Sequence, residues 1–191
     1  MDRQSRKQET RERIRDAAAR AIEREGLVAP NVAGVMADAG LTVGGFYAHY
    51  ENREALLLDA LAQLFERRRD AWLEPLSEAD GPARRREGAR TYLSRKHRDA
   101  DGMRCPLPQI LGEVERADPR YRELLNTTIA DWARALSGPD DTGRERALAA
   151  VATMVGGLTL ARALGPTALS DQLLAAAKRA IAALDADADP R

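Results

Sequence analysis

Cysteine, histidine and long apolar runs are scarce in this chain, and each shortage excludes a class of protein. A single cysteine, Cys105, cannot form an intrachain disulfide, and with only two histidines it leaves no obvious set of metal ligands. The N-terminus is charged rather than apolar, and no apolar run approaches the roughly 18 residues of a membrane span. We therefore expect a cytoplasmic protein with no metal, no cofactor and no membrane partner.

A net charge is also lacking, because 30 basic residues balance 30 acidic ones and give no overall attraction to nucleic acid. The charge is nevertheless unevenly placed. Residues 1–15 contain twice as many basic as acidic side chains, and residues 185–189 are acidic. The basic stretch suits an arm that contacts phosphates, and an ordinary solvated terminus explains it equally well.

Aromatic and β-branched residues are few, and the composition favours an all-α fold. Aromatics make up 4% of the chain, while alanine, leucine, arginine and glutamate dominate. Apolar residues recur with the period of a helix, and no segment alternates long enough to predict a strand. Prolines and glycines divide the pattern into about nine predicted helices, at residues 10–25, 32–39, 43–49, from 53 onward, 83–98, 106–116, 119–137, 142–164 and 170–184.

Two short predicted helices joined by a glycine turn have the layout of a helix-turn-helix, whose second helix enters the major groove of DNA. In that second helix Gly44 and Gly45 each cost roughly 0.5–1 kcal/mol relative to alanine without a benefit to folding. They allow the backbone to approach another surface closely, here a duplex. The hydroxyls of Thr42 and Tyr47 and the ring of His49 can donate hydrogen bonds to phosphate oxygens.

Polar residues stand directly before three of the predicted helices. Asn31, Thr42 and Asn52 are each placed to act as an N-cap. Arg53 adds a cation next to the helix N-terminus that begins there, close to the same stretch of backbone. The caps and the cation therefore frame the predicted recognition helix on both sides.

Residues 10–65 resemble the N-terminal domain of TetR/AcrR-family transcriptional regulators. The resemblance lies in "RIRDAAARAIEREG", "NVAGVMADAG", "LTVGGFYAHY" and "NREALL", which occur in the family's order and spacing. It implies a DNA-binding domain over residues 1–52 and an effector-binding and dimerisation domain over residues 53–191, with Phe46 and Tyr50 packing the recognition helix inward. The DNA-contacting residues that it implies are Asn31, Thr42, Val43, Gly44, Gly45, Tyr47, His49 and Arg53.

One short recognition helix gives limited affinity, so proteins of this kind bind palindromic double-stranded DNA as two-fold homodimers. The last two predicted helices form the expected dimer surface, although an intramolecular core is the alternative. The residues assigned to that surface are Leu148, Val151, Ala152, Val155, Leu158, Thr159, Arg162, Leu173, Ala177 and Ile181. The resemblance also implies a small-molecule effector among the middle helices, with candidate lining residues Trp72, Tyr92, Met103, Cys105, Ile110, Tyr121, Trp132 and Met154.

Cys105 precedes Pro106 and is predicted to cap a helix, where the helix N-terminus and Arg104 would favour its thiolate. Some TetR-like regulators carry a cysteine before the same helix that senses electrophiles or oxidants, and a small buried residue in a tight turn is the alternative. The leading interpretation is a dimeric repressor released from its palindromic operator by a small hydrophobic or electrophilic effector. An enzyme is disfavoured, because phosphate-loop, nucleophile-elbow and metal-ligand patterns are absent. A helical adaptor that binds acidic partners through the arginine runs at residues 67–69 and 84–86 is the remaining alternative.

Overall fold

The computed structural model describes residues 2–100, 104–138 and 143–186, and over these residues the chain is all-α, as expected. Two 3₁₀ helices, Val43–Ala48 and Glu74–Leu76, accompany the α-helices, and no strand occurs in the described ranges. The α-helices are α1 (Arg3–Glu25), α2 (Val32–Asp38), α3 (Arg53–Leu73), α4 (Gly81–Tyr92), α5 (Arg95–Arg98), α6 (Leu107–Val114), α7 (Pro119–Ser137), α8 (Arg144–Leu164) and α9 (Ala168–Ala183).

Most predicted boundaries lie close to the observed ones, and the two larger differences have local causes. α1 begins at Arg3 rather than at residue 10, and the Asp2 carboxylate caps it by accepting a hydrogen bond from Arg3 N at 2.6 Å. The first turns are polar and exposed, so the apolar stripe did not predict them. The helix predicted over residues 83–98 is broken in two. Leu93 leaves the helical conformation (φ −89°, ψ 40°), and the Ser94 hydroxyl caps α5 by accepting from His97 N at 3.1 Å.

The chain forms two compact units. The first unit comprises Met1–Glu66 and Gln109–Leu124, and the second comprises Arg67–Pro108 and Leu125–Arg191. Compactness does not report which residues contact DNA or an effector. The functional division at residues 52 and 53 therefore stays a prediction.

The core of the first unit is built on the apolar stripe of α1. Ile14, Ala17, Ala18 and Ile22 are all fully buried, at the spacing that the sequence predicts. α1 packs against α2, and α2 packs against the 3₁₀ helix Val43–Ala48. The stripe thus supports the two short helices on which the site is built.

In the second unit α8 packs against α9 and α4. Gly157 permits the close approach to α9, because a Cβ atom there would lie 3.1 Å from the Ala177 Cβ. An 18-residue window of α8 has a mean hydropathy of 1.6, so by length and composition this helix could cross a membrane, contrary to the expectation that no apolar run approaches that length. Core helices of globular proteins pass the same test, and Ala147, Met154 and Leu158 are buried within this unit.

Candidate nucleic-acid interface and ligand cavity

The predicted recognition helix is the 3₁₀ helix Val43–Ala48, which follows α2 after a tight turn. Gly40 takes a positive φ of 68° in that turn, a conformation that favours glycine, and Leu41 N donates to Met36 O at 2.9 Å. Phe46 is fully buried and Tyr50 nearly so, which confirms that both aromatics turn inward. The turn and the buried ring together fix the direction in which the recognition helix points.

The outer face of the recognition helix is open. Tyr47 is 74% exposed, and Val43 is exposed beside it. A Cβ atom added to Gly44 would meet no atom within 4 Å, and Gly44 does not have a positive φ, so neither packing nor backbone conformation requires glycine there. The predicted cap at Thr42 is wrong, because its side chain makes no capping hydrogen bond. The exposed Thr42 hydroxyl is therefore not used for capping and is available to a ligand such as DNA.

A network of polar contacts anchors the recognition helix from within. The Tyr50 hydroxyl donates to Asp59 on α3 at 2.8 Å, and Arg11 on α1 pairs with the same carboxylate at 3.0 Å. The Arg11 guanidinium also lies 4.8 Å from the centre of the Tyr50 ring. Burial, and then the hydrogen bond with Asp59, raises the pKa of Tyr50 to about 12, so the hydroxyl stays protonated and keeps donating.

A polar groove of about 480 Å³ lies between the first turns of α1 and the end of the recognition helix. His49 lines it, and burial, followed by the charges of Lys7 and Arg11, lowers the pKa of His49, so the ring is neutral at pH 7. The basic stretch predicted as an arm is thus part of a helix, and two of its cations, Lys7 and Arg11, line this groove. Sequence reasoning did not single out the other residues of the groove, which are Gln4, Ser5, Gln8 and Ala48.

Arg53 contacts the protein's own backbone, and its predicted contact with DNA stays a prediction. Its guanidinium donates to Pro30 O at 2.7 Å and to Val28 O at 2.9 Å, and it also donates to Leu27 O and pairs with Glu54. These contacts direct it toward the loop between α1 and α2. Its side chain stabilises the entry to α2.

Glu113 on α6 binds the same loop as Arg53, but through the loop's backbone N–H groups rather than its carbonyls. Its carboxylate accepts from Val28 N at 3.1 Å and from Leu27 N. Gly26 leaves room for this carboxylate, because a Cβ atom there would clash with it, and φ is +82°.

Two of the predicted N-caps are confirmed. The Asn31 side chain accepts from Gly34 N at 2.9 Å and so caps α2 as predicted. Asn52 likewise caps α3 by accepting from Ala55 N at 2.8 Å.

The second unit contains a cavity of about 370 Å³ that brings together four of the predicted effector residues, Trp72, Tyr92, Cys105 and Trp132. Met154 is buried but does not line this cavity, whereas Ile110 and Tyr121 are buried residues of the first unit. Met103 lies outside the described residues. The lining residues that sequence reasoning missed are Arg68, Ala71, Thr91, Ser94, Lys96, His97 and Ala100.

His97 positions the segment that contains Cys105 through hydrogen bonds of both its ring nitrogens. Its Nδ1 lies 2.8 Å from Tyr92 O, and its Nε2 accepts from Cys105 N at 3.3 Å, an arrangement that requires the neutral ring with the proton on Nδ1. Burial lowers the pKa of His97 to about 4, in keeping with that form. From α8, Arg162 donates to Cys105 O at 3.0 Å and to His97 O at 3.1 Å. Both backbone groups of Cys105 are therefore held.

The structure reverses the expectation that Cys105 is a thiolate. α6 begins at Leu107, so Pro106 rather than Cys105 precedes the helix. Burial raises the pKa of Cys105, and this outweighs the interaction with the Tyr92 hydroxyl, the hydrogen bond from the Leu107 backbone and the charges of Arg162 and Arg68, which lower it. The thiol is protonated at neutral pH.

Iodoacetamide is therefore expected to alkylate Cys105 at pH 8 at least about 10-fold more slowly in the folded protein than in the urea-unfolded chain. The raised pKa keeps the thiolate fraction small until the pH approaches that value, and burial restricts access. Mass spectrometry of timed, quenched samples gives both rates. A folded-state rate equal to that of the unfolded chain would show instead that the thiol is activated.

The predicted dimer residues separate into two groups. Leu148 and Ala152 are exposed, and Thr159, Leu173 and Ala177 are partly exposed. Val151, Val155, Leu158 and Ile181 are instead buried within the protomer, so these four are wrong as surface residues. Arg162 is partly exposed, and its guanidinium donates to Cys105 O and His97 O. The exposed face of α8 is centred to one side of the predicted stripe, on Ala152, Gly156, Leu160 and Ala163.

The chain is similar to known regulators in sequence and in fold. Residues 14–60 match the family described as "Bacterial regulatory proteins, tetR family". No curated protein sequence matches the chain. A TetR transcriptional regulator from Chloroflexus aurantiacus has a solved structure with 25% identity, covering 95% of this chain and 96% of that one, at a TM-score of 0.78. A TetR-family regulator from Cytophaga hutchinsonii has 22% identity, covering 93% and 96%, at a TM-score of 0.76.

These similarities agree with the geometry of the site. The matched residues 14–60 span the stripe of α1, all of α2 and the recognition helix, and they end within α3. The solved structures extend the likeness over nearly the whole chain, including the unit that holds the cavity. The chain therefore carries the DNA-binding domain of the TetR family at residues 14–60, and it has the fold of solved TetR-family transcriptional regulators.

Proposed function

We propose that this protein is a cytoplasmic, homodimeric repressor that binds a palindromic operator and is released by a small-molecule effector. The observation that carries the DNA-binding part is the open outer face of the recognition helix, where Gly44 and Tyr47 are exposed while Phe46 and Tyr50 anchor the helix from behind. The effector is held by the cavity of the second unit. It acts by favouring a conformation whose recognition helices no longer match the spacing of adjacent major grooves.

The exposed groups suit contacts with the DNA backbone better than direct reading of bases. Thr42 and Tyr47 offer hydroxyl donors, and Lys7 and His49 line the neighbouring groove. Gly44 has no side chain that could reach a base edge. Operator selection therefore rests largely on Thr42 and Val43, on the shape of the DNA and on half-site spacing.

Gly44→Leu is expected to lower operator affinity at least about 10-fold without lowering stability. Space for the new side chain exists in the free protein, but the side chain would hold the backbone away from the duplex. Gly112→Leu on α6 is the matched control, because a Cβ atom there also meets nothing within 4 Å. Operator fragments selected from randomised DNA, measured by fluorescence anisotropy alongside thermal melts, give both quantities. Unchanged affinity in Gly44→Leu would contradict the docking of this face.

Lys7→Met should weaken binding to all DNA sequences alike and reduce the slope of log affinity against log salt by about one, the signature of one lost phosphate contact. Arg20→Met is the control, since Arg20 is an exposed cation on the same helix outside the groove. Anisotropy titrations at several salt concentrations measure the slope. A slope that is equal in Lys7→Met and the unchanged protein would remove the groove from the interface.

The alternatives find less support in the geometry. An adaptor would need the arginine run at residues 84–86 at the surface, but Arg84 donates to Ala79 O and Ala135 O, and the Arg85 side chain is buried against Asp185. A thiol sensor would need an accessible thiolate, and Cys105 is buried with a raised pKa. We therefore also propose that the protein is not an enzyme and that its cavity binds the effector without covalent chemistry.

A further inference from the structure

The cavity of the second unit has a wall of flat aromatic rings. Trp72 lies 5.0 Å from Tyr92 and 5.1 Å from Trp132 between ring centres. The small side chains of Ala71 and Ala100 complete part of the lining. A volume of about 370 Å³ lies within the range of small-molecule sites, and rings arranged in this way offer apolar faces to a further ring. Size and wall together fit a ligand built on one planar aromatic system.

The polar groups that remain for a ligand are hydrogen-bond donors. The Trp72 indole N–H is already used by a backbone carbonyl of α4 at 3.0 Å, and both ring nitrogens of His97 are used by backbone groups. The Tyr92 hydroxyl is buried, and by geometry it has no hydrogen-bond partner among the described residues. The Cys105 thiol lies beside it, and burial, followed by the interaction with this thiol, raises the pKa of Tyr92. Since an unsatisfied buried hydroxyl is costly, a ligand with an acceptor would satisfy it.

The charges around the cavity favour an anion. Arg68 and Lys96 line it, and its described lining contains no aspartate or glutamate. After the larger effect of burial, the positive charges of Arg162 and Arg68 lower the pKa of His97. In the same way the charges of Arg104 and Arg68 lower the pKa of Arg162, which binds two backbone carbonyls. Among the described residues, the charged side chains that line the cavity are therefore both cations.

We propose that the effector is a planar aromatic molecule carrying one anionic group, such as a carboxylate. This inference rests on the proposed function, in which the same cavity holds the effector. The ring stacks on the face of Trp72 and meets Trp132 at an edge, since the two indole planes lie 69° apart, while the anionic group accepts a hydrogen bond from Tyr92 and pairs with Lys96. Aromatic cages also bind quaternary ammonium groups, but here the two cations would repel such a ligand.

The chain contains two tryptophans, and both line the cavity, so quenching of tryptophan fluorescence reports binding at this site. Three probes share the planar cinnamyl skeleton and differ in charge: trans-cinnamate is an anion, trans-cinnamamide is neutral and cinnamyltrimethylammonium is a cation. We expect trans-cinnamate to have a dissociation constant at least about 10-fold below that of the amide, because hydrogen bonds to a charged group are the stronger ones. The ammonium probe should give no saturable quenching.

Variants of the full-length protein assign the effect to the residues named. Lys96→Met is expected to weaken trans-cinnamate by about 3- to 10-fold and to leave the amide within about 2-fold. Tyr92→Phe removes a donor that both probes can use, so it should weaken trans-cinnamate by about 3- to 10-fold and the amide by a smaller factor. Arg69→Met is the control, since Arg69 is exposed beside Arg68 on α3 but lies outside the cavity. It should change none of the three dissociation constants.

Three outcomes would overturn the inference: an ammonium probe that binds as tightly as trans-cinnamate, equal affinities for acid and amide, or no saturable quenching by any probe. Operator binding without a probe is measured on the same samples by anisotropy. If operator binding is intact while the charge preference is missing, the ligand class is wrong and the regulator stands. If operator binding itself is missing, the proposed function fails, whatever the probes show.

Discussion

Replacing Gly156 with arginine is expected to turn the protein into a folded monomer that binds its operator at least about 100-fold more weakly. A two-fold dimer joins two half-sites, so loss of the dimer removes the gain from simultaneous binding at both. Size-exclusion chromatography with light scattering gives the mass, and fluorescence anisotropy gives the affinity. Circular dichroism confirms that the helices remain.

The reason lies in the exposed face of α8. A Cβ atom at Gly156 would meet nothing within 4 Å, so the protomer itself tolerates a side chain there. The surrounding exposed residues are apolar, and Leu160 is 56% and Leu148 40% exposed, with Leu169 of α9 exposed at 59%. In a two-fold interface a patch meets its own copy, so each new arginine would face the other in a desolvated setting.

Two further variants separate this effect from a general one. Leu111→Arg places the same charge at an exposed apolar position of α6, within the first unit, and should leave the dimer intact. Gly157→Ala should instead lower stability, because its Cβ would lie 3.1 Å from Ala177 and 3.2 Å from Leu93. A Gly156→Arg protein that stays dimeric would move the interface to another surface.

The glycine pair at 156 and 157 shows which features of α8 the sequence period predicts and which it does not. The sequence predicts α8 and its amphipathic character, and it predicts that small residues permit close helix approach. It does not predict which side faces the protomer, because α8 is apolar nearly all round and both faces pass as the stripe. Only the packing of α4 and α9 shows that Gly157 points inward and Gly156 outward.

Side chains that bind distant backbone were the hardest to predict. Arg53 follows the family pattern for a phosphate contact, yet it binds the carbonyls of residues 27, 28 and 30. His97 lies in a run of charged residues, yet it is fastened between Tyr92 O and Cys105 N. Both contacts depend on where loops lie, and local propensity and periodicity carry no information about that. The inward Phe46 and Tyr50 were predicted, because their partners belong to the same short motif.

Arg85 and Asp185 were likewise missed, since both stand in charged runs that predict solvated surfaces. In the structure their side chains are 2% and 4% exposed, and the guanidinium donates to both carboxylate oxygens and to Leu136 O at 3.0 Å. A Cβ atom on Gly143 would lie 2.6 Å from Arg85 Nη1, so glycine keeps this position clear. The pair joins α4 to the residue that follows the end of α9.

Arg85→Met is expected to lower the free energy of unfolding by about 3–5 kcal/mol, because it leaves the Asp185 carboxylate buried without a counter-ion. Arg90→Met is the matched control on the same helix. Its pair with Glu87 is exposed, at 71% and 43%, so its loss should leave the free energy of unfolding nearly unchanged. Urea unfolding followed by circular dichroism measures both variants.

The double variant Arg85→Met with Asp185→Leu separates the destabilisation by an unpaired charge from the contribution of the pair. If the desolvation of the unpaired carboxylate causes most of the loss, two apolar side chains restore most of the stability that Arg85→Met loses, since burying an ion pair gains little over burying hydrocarbon. If the double variant is instead as unstable as Arg85→Met alone, the hydrogen bond from Arg85 to Leu136 O accounts for the loss. A loss below about 1 kcal/mol in Arg85→Met would mean that Asp185 reaches water and that the pair contributes no more than a surface one.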